Sequence, residues 1–215
     1  MIISIDGPAS SGKSTVAKLV AKKLNFFHFN SGALYRGVTC YLISSGVDIQ
    51  NGIGDTNDIT LTTNFIDGEQ HVYVNGKDYT PHLRDNIVSE LSPIVSQHKP
   101  IRNLIDDCQR SFATSHNVVI DGRDIGSFVF PNADYKFYLD CDVNIRAQRR
   151  FLEEQKKNSG ISFEEIKKQL IERDEFDKHK PISPLVVPKN AIIVDSSNKT
   201  IEQVVDEILS FIKLK

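Results

Sequence analysis

A chain of 215 residues, 40% hydrophobic and 25% charged, has material for one substantial core, with room for an inserted subdomain. Its formal net charge of -2 gives no bulk attraction to nucleic acid or an anionic membrane, and no apolar run approaches the length that crosses a bilayer. Three scattered cysteines, Cys40, Cys108 and Cys141, lack CxxC or His-paired spacing and read as reduced, buried small hydrophobes.

The first strand is expected at residues 2–6, which leaves no room for a signal peptide and points to a cytoplasmic address. An amphipathic helix follows over 14–24, with Val16, Leu19, Val20 and Leu24 inward. FFHFN at 26–30 is a short apolar run, and a helix is expected from 33 to about 44. The rhythm then changes. Ile59, Leu61, Thr63 and Phe65 alternate with polar residues, as do Val72 and Val74, and Asn75-Gly76 is a hairpin turn signal. Residues 56–98 therefore read as an insert with a small antiparallel sheet, and helical stretches are expected at 84–97 and 101–114. Strands resume at 117–121, 135–140 and 191–195, with helical patterns at 142–157, 162–178 and 199–213. Strands separated by helices imply an α/β fold, a parallel sheet covered on both faces.

Gly7-Pro8-Ala9-Ser10-Ser11-Gly12-Lys13-Ser14, followed by Thr15, satisfies GxxxxGK[ST] between a strand and a helix. Such a loop turns backbone N–H groups around phosphate oxygens, and the helix N-terminus adds partial positive charge. Lys13 can reach the β- and γ-phosphates, and the Ser14 hydroxyl can sit on Mg²⁺. The ligand is thus a nucleoside triphosphate with Mg²⁺. A guanine-reading Asn/Thr-Lys-x-Asp is missing; NGKD at 75–78 has the letters in the wrong order, inside a hairpin. Compact size, without further signature loops of motors or transporters, favours a phosphotransferase with a second substrate.

An enzyme that holds two polyanions side by side needs cations outside the loop, preferably with bidentate geometry. Among 26 Lys plus Arg, the arginines in suggestive contexts are Arg36 in SGALYR, Arg123 in GRDIG, Arg146, Arg149 and Arg150 in RAQRR, and Arg173 in ERD. Asp121 closes an apolar strand, so it is either an acid that holds Mg²⁺ through water or a capping aspartate. Arg146, Arg149 and Arg150 share a helix face, which is either a solvated basic face or a lid over the triphosphate. Gly160 would let such a lid turn.

IDGPASSGKST, SGALYR, IDGRDIGSFVFPNAD (120–134), RAQRR, ERDEFD (172–177) and the PL pair at 184–185 together resemble the bacterial cytidylate kinases, nearly end to end. The resemblance implies a P-loop kinase core at about 1–30, 117–145 and 190–215. It implies a nucleoside-monophosphate-binding region at 31–116, extended by the insert, and a helical lid with adjoining helix at 146–180. It implies transfer of the γ-phosphate of ATP to CMP or dCMP. Gly7 through Thr15 would hold ATP. Ser31, Arg36 and Arg123 would bind the CMP phosphate, and Arg102 and Asp124 the monophosphate nucleotide, with Arg84 in a matching stretch. Arg173 and Asp177 would lie near the acceptor's phosphate and sugar. Lys13, Arg123, Asp124, Arg146, Arg149 and Arg150 would carry the catalysis. Two departures stand out. Lys180 replaces an arginine and loses its planar fork, and Pro93 stands where a cytosine-reading serine would align, with Ser89 and Ser92 nearby.

The expected partners are ATP and CMP or dCMP, with neither nucleic acid nor membrane, and the expected state is a monomer. Competing readings are another small-molecule P-loop kinase, acting on UMP or a deoxynucleoside, and a nucleotide-dependent switch without an acceptor.

Overall fold

The computed structural model describes residues 1–156 and 160–213. In chain order the elements are β1 (Ile2–Asp6), α1 (Lys13–Leu24), β2 (Phe27–Asn30), α2 (Ser31–Ser44), β3 (Leu61–Ile66), β4 (Glu69–Val74), β5 (Lys77–Asp78), α3 (Asn86–Val95) and α4 (Lys99–Ser115). They continue with β6 (Val118–Gly122), β7 (Tyr135–Asp140), α5 (Val143–Gln155), α6 (Phe163–His179), β8 (Ile192–Asp195) and α7 (Ile201–Phe211). A five-stranded parallel sheet runs β2-β6-β1-β7-β8, and a three-stranded antiparallel sheet runs β3-β4-β5. The chain divides into two compact units, Met1–Phe26 with Val119–Lys215, and Phe27–Val118.

In the first unit, β1 is buried on both faces, since Ile3, Ser4, Ile5 and Asp6 all have 0% exposure. A strand covered on both sides reads as a continuous buried run, not an alternation. Ile3 and Ile5 pack with Val16, Val20, Phe137, Leu139, Val194 and Ile208 in one core that α1 and α7 close. β1 pairs with β7 (Ile3 opposite Tyr135), and β7 with β8 (Phe137 opposite Ile192), both parallel. In the strand order β6 and β7 flank β1, so the direction of chain progression reverses at β1. The carboxyl ends at such a reversal are where open α/β sheets bind ligands.

Helix ends follow local chemistry. α5 is capped by Asp142, whose side chain accepts from the N–H groups of Asn144 and Ile145. α6 and α7 open with capping boxes, Ser162 with Glu165 and Thr200 with Gln203. α5 ends at Gln155, short of the expected 157, and residues 157–159 lie outside the described part. Gly160 has φ +68, a left-handed conformation that glycine adopts without strain.

In the second unit, α2 begins at Ser31, two residues earlier than its apolar pattern predicts. The reason is Asn30, whose side chain caps the helix by accepting from the Ala33 N–H at 2.8 Å. The expected Asn75-Gly76 turn joins β4 to β5. A second two-residue turn, Asp67-Gly68 with φ 52 and 78, joins β3 to β4 and pairs Ile66 with Glu69. This hairpin sits on α2, where a Cβ on Gly37 would come within 2.4 Å of Val72 Cγ1. Phe27, Phe29, Phe65 and Phe112 pack ring against ring with centroids 4.9–6.3 Å apart. Pro93 lies inside α3. Among the described residues no helix is long and apolar enough to cross a membrane.

Candidate active site

The loop from Gly7 to Thr15 connects β1 to α1, and its glycines are required by space at Gly7 and by backbone conformation at Gly12. A Cβ on Gly7 would lie 2.4 Å from the backbone oxygen of Leu139, and Gly12 has φ +90. Ser11 Oγ is buried without a hydrogen-bond partner among the described atoms, a donor suited to a phosphate oxygen. Lys13 is buried and donates to the Pro8 carbonyl at 2.9 Å. Burial first, and then the charge of Arg123, hold its ammonium well below the usual lysine range. Phosphate oxygens beside it would reverse that shift. A cavity of about 490 Å³ continues from the loop, lined by Ser10–Val16, Arg149, Glu153, Ser196 and the start of α7.

Ser14 Oγ donates to Asp121 Oδ2 at 2.5 Å. The end of β6 thus meets the first turn of α1, and two hard oxygen ligands stand together. This pair fits Mg²⁺, which takes few protein oxygens and keeps several waters. Asp121 is therefore engaged with the loop helix.

Two residues further on, Arg123 Nε donates to Asp177 Oδ2 at 2.9 Å, and Arg173 Nε donates to the same oxygen at 3.1 Å. Asp177 is 1% exposed. Burial pushes its carboxyl up, but the charges of Arg123, Arg173 and Lys180 outweigh that and hold it at about 2. Lys180, at the end of α6, is itself buried. Asp124 is buried at the start of a short helical turn, Ile125–Val129.

The three arginines of α5 share a face but not a setting. Arg146 donates to the carbonyls of Cys141 (2.9 Å) and Ala9 (3.2 Å) and forms a 2.7 Å ion pair with Asp174. Arg149 donates to the Ser11 carbonyl (3.2 Å) and to the carbonyl (2.6 Å) and hydroxyl (3.3 Å) of Ser196. Both brace the phosphate loop. Arg150 pairs with Glu153 and Glu154 on its own helix.

The remaining expected residues lie in the second unit. Ser31 opens α2. Arg36 folds back over that helix N-terminus, donating to Asn30 Oδ1 at 3.2 Å. A Cβ on Gly32 would meet Arg36 Nη1 at 2.9 Å, so the glycine of SGALYR makes room for the arginine. Arg102 is buried, donates to the Ser96 carbonyl at 3.3 Å and stacks over the Tyr35 ring at 5.4 Å. Arg84 is exposed ahead of α3. Cys40 and Cys141 are buried free thiols and Cys108 is half-buried, and burial pushes Cys40 and Cys108 up to about 11.

Four residues around these groups were not singled out from the sequence: Asn30, Asp174, Ser196 and Asp6. Asp6 accepts from the N–H groups of Ile125 at 2.8 Å and Gly126 at 2.7 Å. Burial pushes its carboxyl up to about 7, against those two donors. Its place directly before Gly7, at a charge-poor strand end, was the available signal.

A sequence model described as cytidylate kinase matches residues 3–214. A cytidylate kinase from Clostridioides difficile (strain 630) is 39% identical, over 100% of this chain and 99% of its own. One from Thermotoga maritima is 36% identical over 98% and 96%. Among solved structures, a shikimate kinase from Bacteroides thetaiotaomicron superposes with a TM-score of 0.50 at 16% identity, covering 98% of this chain and 97% of that one. TT1252 from Thermus thermophilus gives 0.51, also at 16% identity, covering 98% and 94%. At these identities the two structures speak for the fold alone.

Proposed function

The chain belongs to the cytidylate kinase family, and on that premise we propose how its own residues carry out the family's reaction. The protein is a nucleoside monophosphate kinase that transfers the γ-phosphate of ATP to CMP or dCMP, giving ADP and CDP or dCDP. The observation that carries this reading is the match over residues 3–214. It does not favour a UMP or deoxynucleoside kinase, or a switch without an acceptor.

No protein nucleophile is needed. A phosphate oxygen of the acceptor attacks the γ-phosphorus in line, and the protein aligns the groups, neutralises charge and excludes water. Gly7 through Thr15 cradle the triphosphate, with Lys13 on its β- and γ-oxygens. Ser14, and Asp121 through water, would hold Mg²⁺, which neutralises charge on the phosphates when bound. Arg146 and Arg149 hold the loop by its carbonyls and add positive charge beside it, and Arg150 belongs to the same lid helix.

Ser31, Arg36 and Arg123 take the CMP phosphate. Arg102 and Asp124 take the nucleotide further along, Arg173 and Asp177 its phosphate and sugar, and Arg84 and Lys180 contribute charge. In this reading Asp177 holds the forks of Arg123 and Arg173 by their Nε atoms, which leaves the outer nitrogens directed by a fixed anchor. Residues 31–116 act as the acceptor-binding region, 146–180 as a lid, and 1–30, 117–145 and 190–215 as the core. A monomer acting in the cytoplasm, without nucleic acid, completes the proposal.

A panel of acceptors at fixed ATP and Mg²⁺, read by ADP release, tests it. CMP and dCMP should turn over fastest. Equal or faster turnover with UMP would overturn the base assignment.

A further inference from the structure

Asp6 is a fully buried carboxylate at the end of β1. Burying such a group is costly unless it is well partnered. Its two oxygens take one backbone N–H each, from Ile125 at 2.8 Å and Gly126 at 2.7 Å, across about 120 residues of sequence. The next residue of its own strand is Gly7, the first residue of the phosphate loop. The residues just before its two partners are Arg123 and Asp124. One side chain therefore joins the strand end that launches the ATP loop to the segment assigned to the acceptor.

The fit is close. A Cβ on Gly126 would lie 2.6 Å from Ser4 Oγ and 3.2 Å from Asp6 Oδ2. Two N–H donors converging on one side chain call for two acceptor oxygens. A carboxylate meets that requirement; an amide offers one oxygen and turns a donor toward the second N–H. Ser4, on the same face of β1, does not share the task, since its Oγ is buried without a hydrogen-bond partner among the described atoms.

We propose that Asp6 is a positioning residue for phosphoryl transfer, which sets the Arg123–Asp124 segment against the phosphate loop through the N–H groups of Ile125 and Gly126. It touches neither nucleotide. The inference rests on the function proposed above. Displacing a reacting partner by about 1 Å costs on the order of 10²-fold in rate.

The experiment compares the unsubstituted protein with Asp6→Asn, Gly126→Ala and Ser4→Ala. It measures kcat and KM for CMP by ADP release, Kd for Mg·ATP without CMP by calorimetry, and folding by circular dichroism. Asp6→Asn should lower kcat about 10²-fold and raise KM for CMP, with Kd for ATP within about threefold of the parent. Gly126→Ala leaves the carboxylate in place but pushes the segment off it, and should give the same split. Ser4→Ala should match the parent. Folded Asp6→Asn protein with CMP kinetics within about threefold of the parent overturns the proposal, as does an equal loss of ATP affinity. If Asp6→Asn does not fold, Gly126→Ala decides by the same criteria. The parent's turnover on CMP reads the underlying function separately: an active parent without the split rejects Asp6 alone, and an inactive parent rejects both.

Discussion

Arg123 and Asp177 meet through a 2.9 Å hydrogen bond between side chains 54 residues apart. Arg173 reaches the same carboxylate oxygen from one helical turn away at 3.1 Å. Two guanidinium groups are thus held on one buried anion, which is how like charges can be kept close enough to serve a phosphate.

This anion stabilises the fold in a pH-dependent way. Asp177 titrates at about 2 in the folded protein against 3.8 for the free side chain. A depressed carboxylate contributes fully above the unfolded value and loses its contribution as pH falls through the folded one. The expected contribution, about 2 kcal/mol at neutral pH, should fade between about pH 4 and pH 2. Urea unfolding of the parent and Asp177→Asn should show that gap closing over this window; a gap independent of pH would contradict it.

Removing Arg36 should separate the two substrates. Arg36→Ala takes away a guanidinium at the N-terminus of α2, far in sequence from the phosphate loop. We expect kcat/KM for CMP to fall about 10²-fold, with Kd for ATP within about threefold. Unchanged CMP kinetics would mean that the acceptor phosphate lies elsewhere.

Asp174 carries a structural load. Its ion pair with Arg146 is buried, and Arg146 also holds the Ala9 carbonyl of the phosphate loop. Asp174→Ala should cost about 3 kcal/mol in chemical denaturation, because it leaves a buried guanidinium short of its counter-charge. Loss of less than about 1 kcal/mol would place the pair among those of little consequence.

Much of this was legible from the residues. The GxxxxGKS spacing set the loop and its helix, and Asn75-Gly76 set a hairpin turn, because both depend on neighbours within a few positions. The Asp67-Gly68 turn and the capping boxes at Ser162 and Thr200 carry equally local signals. Asp6, Asp174 and Ser196 are another matter. Their partners lie 120, 28 and 47 positions away, so only the folded chain brings them together. Helical spacing grouped Arg150 with Arg146 and Arg149, but spacing cannot tell a loop carbonyl from a glutamate on the same helix. The start of α2 at Ser31 lies outside the apolar periodicity because Asn30 sets it through its side chain.

The Ser14–Asp121 pair bears on the metal. Ser14→Ala should raise the Mg²⁺ concentration needed for half-maximal activity by about tenfold, since one hard ligand of few is lost. KM for CMP should stay within about threefold. A Mg²⁺ titration that superposes on the parent's would remove Ser14 from the metal site.

Phosphorus NMR of the protein with ATP, Mg²⁺ and CMP tests the central claim most directly, because it follows where the γ-phosphoryl group goes. The account requires ADP and the β-phosphate of CDP to grow in step, with little inorganic phosphate. Steady release of inorganic phosphate that CMP does not alter, with no CDP signal, would contradict it.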